Sequence, residues 1–184
     1  MIRSFIAIKV SPDEEFKRAF QMLKSQLVSE KINWVDIENL HLTLKFLGNV
    51  TDESILIVKN ELDKIRSVPN FTIKIEGIHL FKDIHTPRII YSKIEAGHEL
   101  LDLANKVDNC LSKLDLFQSE KQFLPHLTLG RIKFIKGKEN LELVLHDLRK
   151  IYFQKVECSK FHLFESILTP MGPIYRIIET YKLN

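Results

Sequence analysis

The apolar residues of this chain fall into two alternating periods. RSFIAIKV (3–10) is β-branched and apolar and reads as a strand. After it, Phe16, Phe20, Leu23 and Leu27 recur at helical spacing, predicting a helix from Ser11 to about Val28. Ser11 as N-cap, Pro12 at N1 and Glu14 at N3 mark its start. HLTLKFLG (41–48) alternates as a strand does, and a helical pattern follows at about 52–66. FTIKIEGIHLFKDIHTP (71–87) and RIIYSKIEA (88–96) return to strand character. A second long helix is expected from about His98 to Leu114, with Leu100, Leu103, Val107, Leu111 and Leu114 on one face. Then come HLTLGR (126–131), a helical pattern at about 139–149, YFQKVECSKFHLFESILTP (152–170) and PIYRIIETYKL (173–183).

This order repeats. Arg3 lies 38 residues before His41, and Arg88 lies 38 residues before His126. HLFKDIHTP (79–87) and HLFESILTP (162–170) keep His-Leu-Phe and Thr-Pro in register, although the second copy carries two extra residues ahead of its His-Leu-Phe. The expected class is α+β: a bilobal, pseudo-symmetric duplication of one αβ unit, with two antiparallel sheets flanked by helices and a central cleft. Residues 1–184 form a single bilobal domain on this reading, with the seam near 82–96. No Pro-, Gly- or Ser-rich linker separates the copies, so the lobes are packed together rather than tethered.

Composition changes this picture little. Apolar content of 45% suits a globular domain. No apolar run is long enough to span a bilayer, and Pro12-Asp13-Glu14-Glu15 stands where a signal-peptide cleavage site would be. Cys110 and Cys158 have no CxxC or Cys/His spacing and read as reduced and structural, which fits a cytoplasmic protein. A net charge of +3 is compatible with a phosphate-bearing partner without demanding one. Nothing suggests an obligate oligomer, so a monomer is expected.

The candidate chemistry lies in the repeated tetrapeptide. His-Leu-Thr-Leu occurs twice, 85 residues apart, in a chain with seven histidines. In a strand, residues i and i+2 share a face, so His41 with Thr43, and His126 with Thr128, would each point one way. Pseudo-twofold pairing would bring all four to a shared cleft. One neutral histidine can take a proton from an attacking oxygen while a protonated one supplies the leaving oxygen. The threonine hydroxyls can hold non-bridging phosphate oxygens. The alternative is an ordinary half-buried strand, which either copy alone would suggest. The HxT spacing is poor for zinc, so neither metal nor cofactor is expected. Arg131 could bind phosphate with two hydrogen bonds or be a solvated strand-end charge. If the strand is regular, Lys45 lies on the His41/Thr43 face, as a rim charge or merely exposed, and Phe46 points to the core unless Gly48 marks a bend. Trp34 and Lys31 could form a base-stacking lip, though a lone Trp is more often packing. His79 and His162 read as strand-end packing residues, and His85, His98 and His146 as surface or cap residues.

HLTLKFLG and PHLTLGR, with RSFIAIKV and LFESILTPMGPIYRIIETYKL, resemble the 2H phosphoesterase superfamily, and within it the RNA 2′,3′-cyclic phosphodiesterases, also called 2′-5′ RNA ligases. The resemblance covers essentially the whole chain. It implies metal-independent opening of a terminal RNA 2′,3′-cyclic phosphate to a 2′-phosphomonoester, with tRNA fragments among the possible substrates. By motif, His41 would protonate the leaving 3′ oxygen, His126 would activate water, and Thr43, Thr128 and Arg131 would bind the phosphate. It also implies reverse ligation to a 2′-5′ linkage. A phosphodiesterase of small cyclic nucleotides, and a binding module for RNA ends or nucleotides without turnover, are the competing readings.

Overall fold

The computed structural model describes residues 1–65, 68–82, 84–114, 117, 123–170 and 172–184. Arg66 at the end of the second helical pattern, Asp83 in HLFKDIHTP and Met171 lie outside the described residues. Nine strands and four helices are present among the described residues: β1 (Ile2–Lys9), α1 (Glu14–Gln26), β2 (Lys31–Trp34), β3 (His41–Val50), α2 (Asp52–Leu62), β4 (Phe71–Phe81), β5 (Ile89–Ala96), α3 (His98–Ser112), β6 (His126–Phe134), α4 (Lys138–Asp147), β7 (Tyr152–Cys158), β8 (Lys160–Thr169) and β9 (Gly172–Lys182). A 3-10 turn, Ile37–Asn39, precedes β3. Among the described residues no helix is long and apolar enough to cross a membrane.

The strands form two antiparallel sheets, ordered β3-β1-β8-β9 and β2-β6-β5-β4-β7. The α+β class with two antiparallel sheets is therefore as expected. What the repeat did not foretell is the exchange of strands. β4 comes early in the chain but pairs in the five-stranded sheet, while β8 and β9 close the sheet begun by β1 and β3. The 152–170 stretch is where the chain crosses over. It breaks at Ser159 into β7 and β8, one in each sheet, and the two extra residues of the second repeat copy fall in this part of the chain.

The helices exchange likewise. Phe16 of α1 packs on Phe153 of β7, and Phe20 on Trp34 of β2, so α1 covers the five-stranded sheet. α3 lies against β3 and α2, and Lys59 of α2 pairs with Glu179 of β9 at 2.8 Å, so these two helices cover the four-stranded sheet. One apolar cluster of buried residues runs through both sheets and their helices.

The cap of α1 differs from expectation. Asp13, not Ser11, accepts from the Phe16 amide, at 2.8 Å. An Asp carboxylate satisfies an orphan amide and also favours the positive end of the helix dipole. Gln154 of β7 fixes the approach to the helix: its Oε1 accepts from the Asp13 amide at 2.8 Å, and its Nε2 donates to the Ser11 carbonyl at 3.1 Å.

Candidate active site

His41 and His126 open equivalent strands, β3 and β6. These strands belong to different sheets, yet their Cα atoms approach within 8 Å. Both histidines are partly buried, and Leu42 and Leu127, the residues after them, are fully buried. The expected alternation holds at both motifs.

Each histidine is fixed in the same way. His41 Nδ1 lies 2.6 Å from the Asn39 carbonyl oxygen, and His126 Nδ1 lies 2.8 Å from that of Leu124. A carbonyl can only accept, so Nδ1 carries the proton in both rings. Nε2 is left as the nitrogen that gains or loses a proton. Aromatic rings hold each imidazole. Phe5 and Tyr175 flank His41 at 4.9 and 5.1 Å, and Phe81 and Tyr91 flank His126 at 4.7 and 5.7 Å. Both tyrosines meet their histidine edge-on, at 87° and 77°. Asn39 also ties its turn to the strand that carries Tyr175, its Nδ2 donating to the Pro173 carbonyl at 2.9 Å.

Burial is the main cause that lowers both histidines below the usual imidazole value. The backbone carbonyl works the other way in each case, and the Arg131 guanidinium adds to the lowering in both. His41 also feels His126. Burial raises the Tyr175 phenol, opposed by Arg131 and Arg3. Arg131 thus acts on His41, His126 and Tyr175 alike across the space where β3 and β6 approach.

Two bulges decide what else faces that space. In β3, Ala7 pairs with Thr43 but Ile6 pairs with Lys45, leaving Leu44 as an extra residue. In β6, Tyr91 pairs with Thr128 but Ile90 pairs with Gly130, leaving Leu129 extra. An extra residue reverses the alternation beyond it. Arg131 is thereby returned to the His126/Thr128 face, opposite Ile89, and is exposed. The same device corrects two expectations in β3. Lys45 is not a rim charge: it is 2% exposed, faces the core and donates to Asp108 of α3 at 2.5 Å. Phe46 is not core: it is 59% exposed, on the His41/Thr43 face beside Phe5. Gly48, at φ 73°, accommodates a second irregularity in the same strand.

Trp34 does not form a lip on the cleft. It pairs with Gly130 and packs edge-on against buried Phe20, on the core side of the sheet. Gly130 permits this contact, since a Cβ there would stand 2.8 Å from Ile32 Cγ2 and 2.9 Å from Trp34 Cε3. His162 is buried and bonds Thr180 Oγ1 at 2.9 Å, and His79 stacks on Tyr91 at 5.6 Å, so both pack within the sheets. His85, His98 and His146 are exposed. Sequence reasoning missed Phe5, Phe46, Phe81, Tyr91, Tyr175 and Asn39. The recurring Ile-Ile-Tyr and Pro-Ile-Tyr of the repeat held the signal for the two tyrosines.

Comparison with known proteins agrees with this fold. The model of the LigT-like phosphoesterase family matches residues 6–91 and 94–175. The chain is 33% identical over 180 residues to the RNA 2′,3′-cyclic phosphodiesterase of Methanocaldococcus jannaschii, covering 98% of this chain and 100% of that protein. It is 34% identical over 182 residues to the enzyme of the same name from Thermotoga maritima, covering 96% and 93%. Among solved structures, a Thermus thermophilus protein superposes with a TM-score of 0.77 at 26% identity, over 98% of this chain and 97% of that one. Escherichia coli LigT complexed with 3′-AMP shares the fold, with a TM-score of 0.79 at 23% identity over 99% and 98%.

Proposed function

The chain belongs to the LigT-like phosphoesterase family, and from that premise we propose that it hydrolyses the terminal 2′,3′-cyclic phosphate of RNA to a 2′-phosphomonoester. The observation that carries this reading is the matched pair of histidines, each with Nδ1 committed to a backbone carbonyl and Nε2 left for proton transfer. The curated relatives named RNA 2′,3′-cyclic phosphodiesterase support the substrate class.

In this mechanism the cyclic phosphate lies between the two strands. His126 Nε2, neutral, takes a proton from water as the water oxygen bonds to phosphorus. The bond from phosphorus to O3′ breaks on the opposite side. His41 Nε2, protonated, gives its proton to O3′, and the phosphate remains on O2′. Thr43 and Thr128 donate to the non-bridging oxygens, and Arg131 offsets the charge that builds on them. Phe46 offers an apolar face beside Thr43 on which the terminal base can stack. With the same histidine roles, a 5′-hydroxyl end in place of water loses its proton to His126 while O3′ leaves with the proton of His41, giving a 2′-5′ linkage. Hydrolysis dominates unless that end is held in the cleft.

The test is incubation, with a chelator present, of an oligoribonucleotide ending in a 2′,3′-cyclic phosphate, followed by mass and phosphatase analysis of the terminus. A 2′-phosphate product that is lost in His41→Ala and in His126→Ala is expected. An unchanged cyclic end, or full activity in the double variant, overturns the proposal; tight binding without product would favour a binding module.

A further inference from the structure

An open groove borders the site at Arg131, lined also by Thr86, Arg88, Ile89, Ile132 and Lys133. Among the described residues its lining carries three cations and no carboxylate. Among the described residues no ion pair engages Arg88, Arg131 or Lys133, and all three are exposed. The backbone beneath them is firmly set: Ile89 pairs with Arg131, and the Ile132 amide donates to the Arg88 carbonyl at 2.9 Å.

The bulge at Leu129 gives the groove its meaning. It turns Arg131 to the face of His126 and Thr128; Lys133, two residues on, is exposed and is passed over in the ladder with β2, where Ile32 pairs with Ile132 and Lys31 with Phe134. Two strand residues span roughly 7 Å. That is close to the step between successive phosphates of an extended RNA strand. A chain whose terminal phosphate sits at the histidines and Arg131 would therefore bring its next phosphate level with Lys133.

We propose that this groove is a subsite for the penultimate phosphodiester of the RNA strand whose cyclic end is being opened, with Lys133 and Arg88 as its cations. This deepens the proposed function and rests on it. The consequence is a preference for oligonucleotides over mononucleoside cyclic phosphates, set by one negative charge outside the reacting centre.

Three substrates test it in single-strand hydrolysis with no second RNA present: an oligoribonucleotide with a 2′,3′-cyclic end, the same oligomer with a neutral methylphosphonate at the penultimate linkage, and a mononucleoside 2′,3′-cyclic phosphate. For the unmodified protein, KM should rise about tenfold on neutralising that linkage. Arg88→Ala/Lys133→Ala should raise KM on the natural oligomer by a similar factor and be insensitive to the methylphosphonate. Its slope of log kcat/KM against log salt should flatten by about 0.7 for the one phosphate no longer neutralised. The reading is the ratio of oligomer to mononucleotide kcat/KM, in which a general loss of folding or chemistry cancels. Turnover of the mononucleotide with no penalty for the methylphosphonate overturns the subsite and leaves the proposed function standing. Failure to open any of the three cyclic ends overturns both.

Discussion

Gly130 stands between Thr128 and Arg131, and the structure assigns it a packing role. Replacing it with alanine sets a methyl 2.8 Å from Ile32 Cγ2, 2.9 Å from Trp34 Cε3 and 3.2 Å from Trp34 Cζ3. Carbon atoms rest at about 3.5–4.0 Å, so the nearest neighbours must retreat by over half an ångström. Trp34 has little room, because its ring is backed by Phe20 of α1, which is 1% exposed. Overpacking of this kind costs about 1–3 kcal/mol, or roughly 3–10 °C in Tm for a domain of this size. Calorimetry or urea denaturation of Gly130→Ala reads the loss directly. Adding Ile32→Ala removes the closer methyl, and the double-mutant cycle should return about 0.5–1 kcal/mol of favourable coupling. A Tm unchanged to within about 1 °C would refute the argument. So would a normal Tm with collapsed kcat/KM, which would put Gly130 against substrate rather than against Trp34.

Both histidines sit below the ordinary imidazole value in the free protein. The proposed mechanism needs one neutral and one protonated, so the pH profile of kcat/KM should be a bell centred on the acid side of about 6.5; a maximum well above pH 7 would contradict that environment. His162 is held neutral, its value pushed down to about 4 by burial and by Lys160 and Lys9. The unfolded chain binds that proton near 6.5, so stability is complete above this pH and falls as pH drops towards 4, by up to about 3 kcal/mol. Urea midpoints for His162→Gln should lose most of that slope, and an identical slope would rule the residue out. Burial raises the thiols of Cys110 and Cys158 to about 11 and about 12, so native protein at neutral pH should resist iodoacetamide. Mass spectrometry showing rapid modification of Cys158 would show that its site opens.

Both the period of the elements and the paired motifs could be read from residue pattern, because His-x-Thr at strand spacing has only one way to share a face. The bulges could not. Leu44 and Leu129 look like their neighbours, and only the ladder with β1 or β5 reveals that one residue is surplus. That single displacement reversed the reading of Lys45 and Phe46. The lone Trp34 left a recognition lip open beside the more usual packing role, and packing was decided by the space above Gly130, which depends on a partner strand nearly a hundred residues away. The strand exchange was hidden for a related reason: the repeat orders the elements in sequence and says nothing about which sheet each one enters.

That exchange bears on how the molecule comes into being. β1 lies between β3 and β8, so the sheet holding His41 stays open on one side until residues 160–182 have been synthesised. Tyr175, which steadies the His41 ring, arrives with those residues. Contacts so distant along the chain make for slow closure, and the exposed edge of β1 must be kept from foreign partners in the interval. A nascent chain can assemble the His126 side while its counterpart is still unfinished, and cutting the polypeptide between the two repeats would leave neither fragment with a complete sheet.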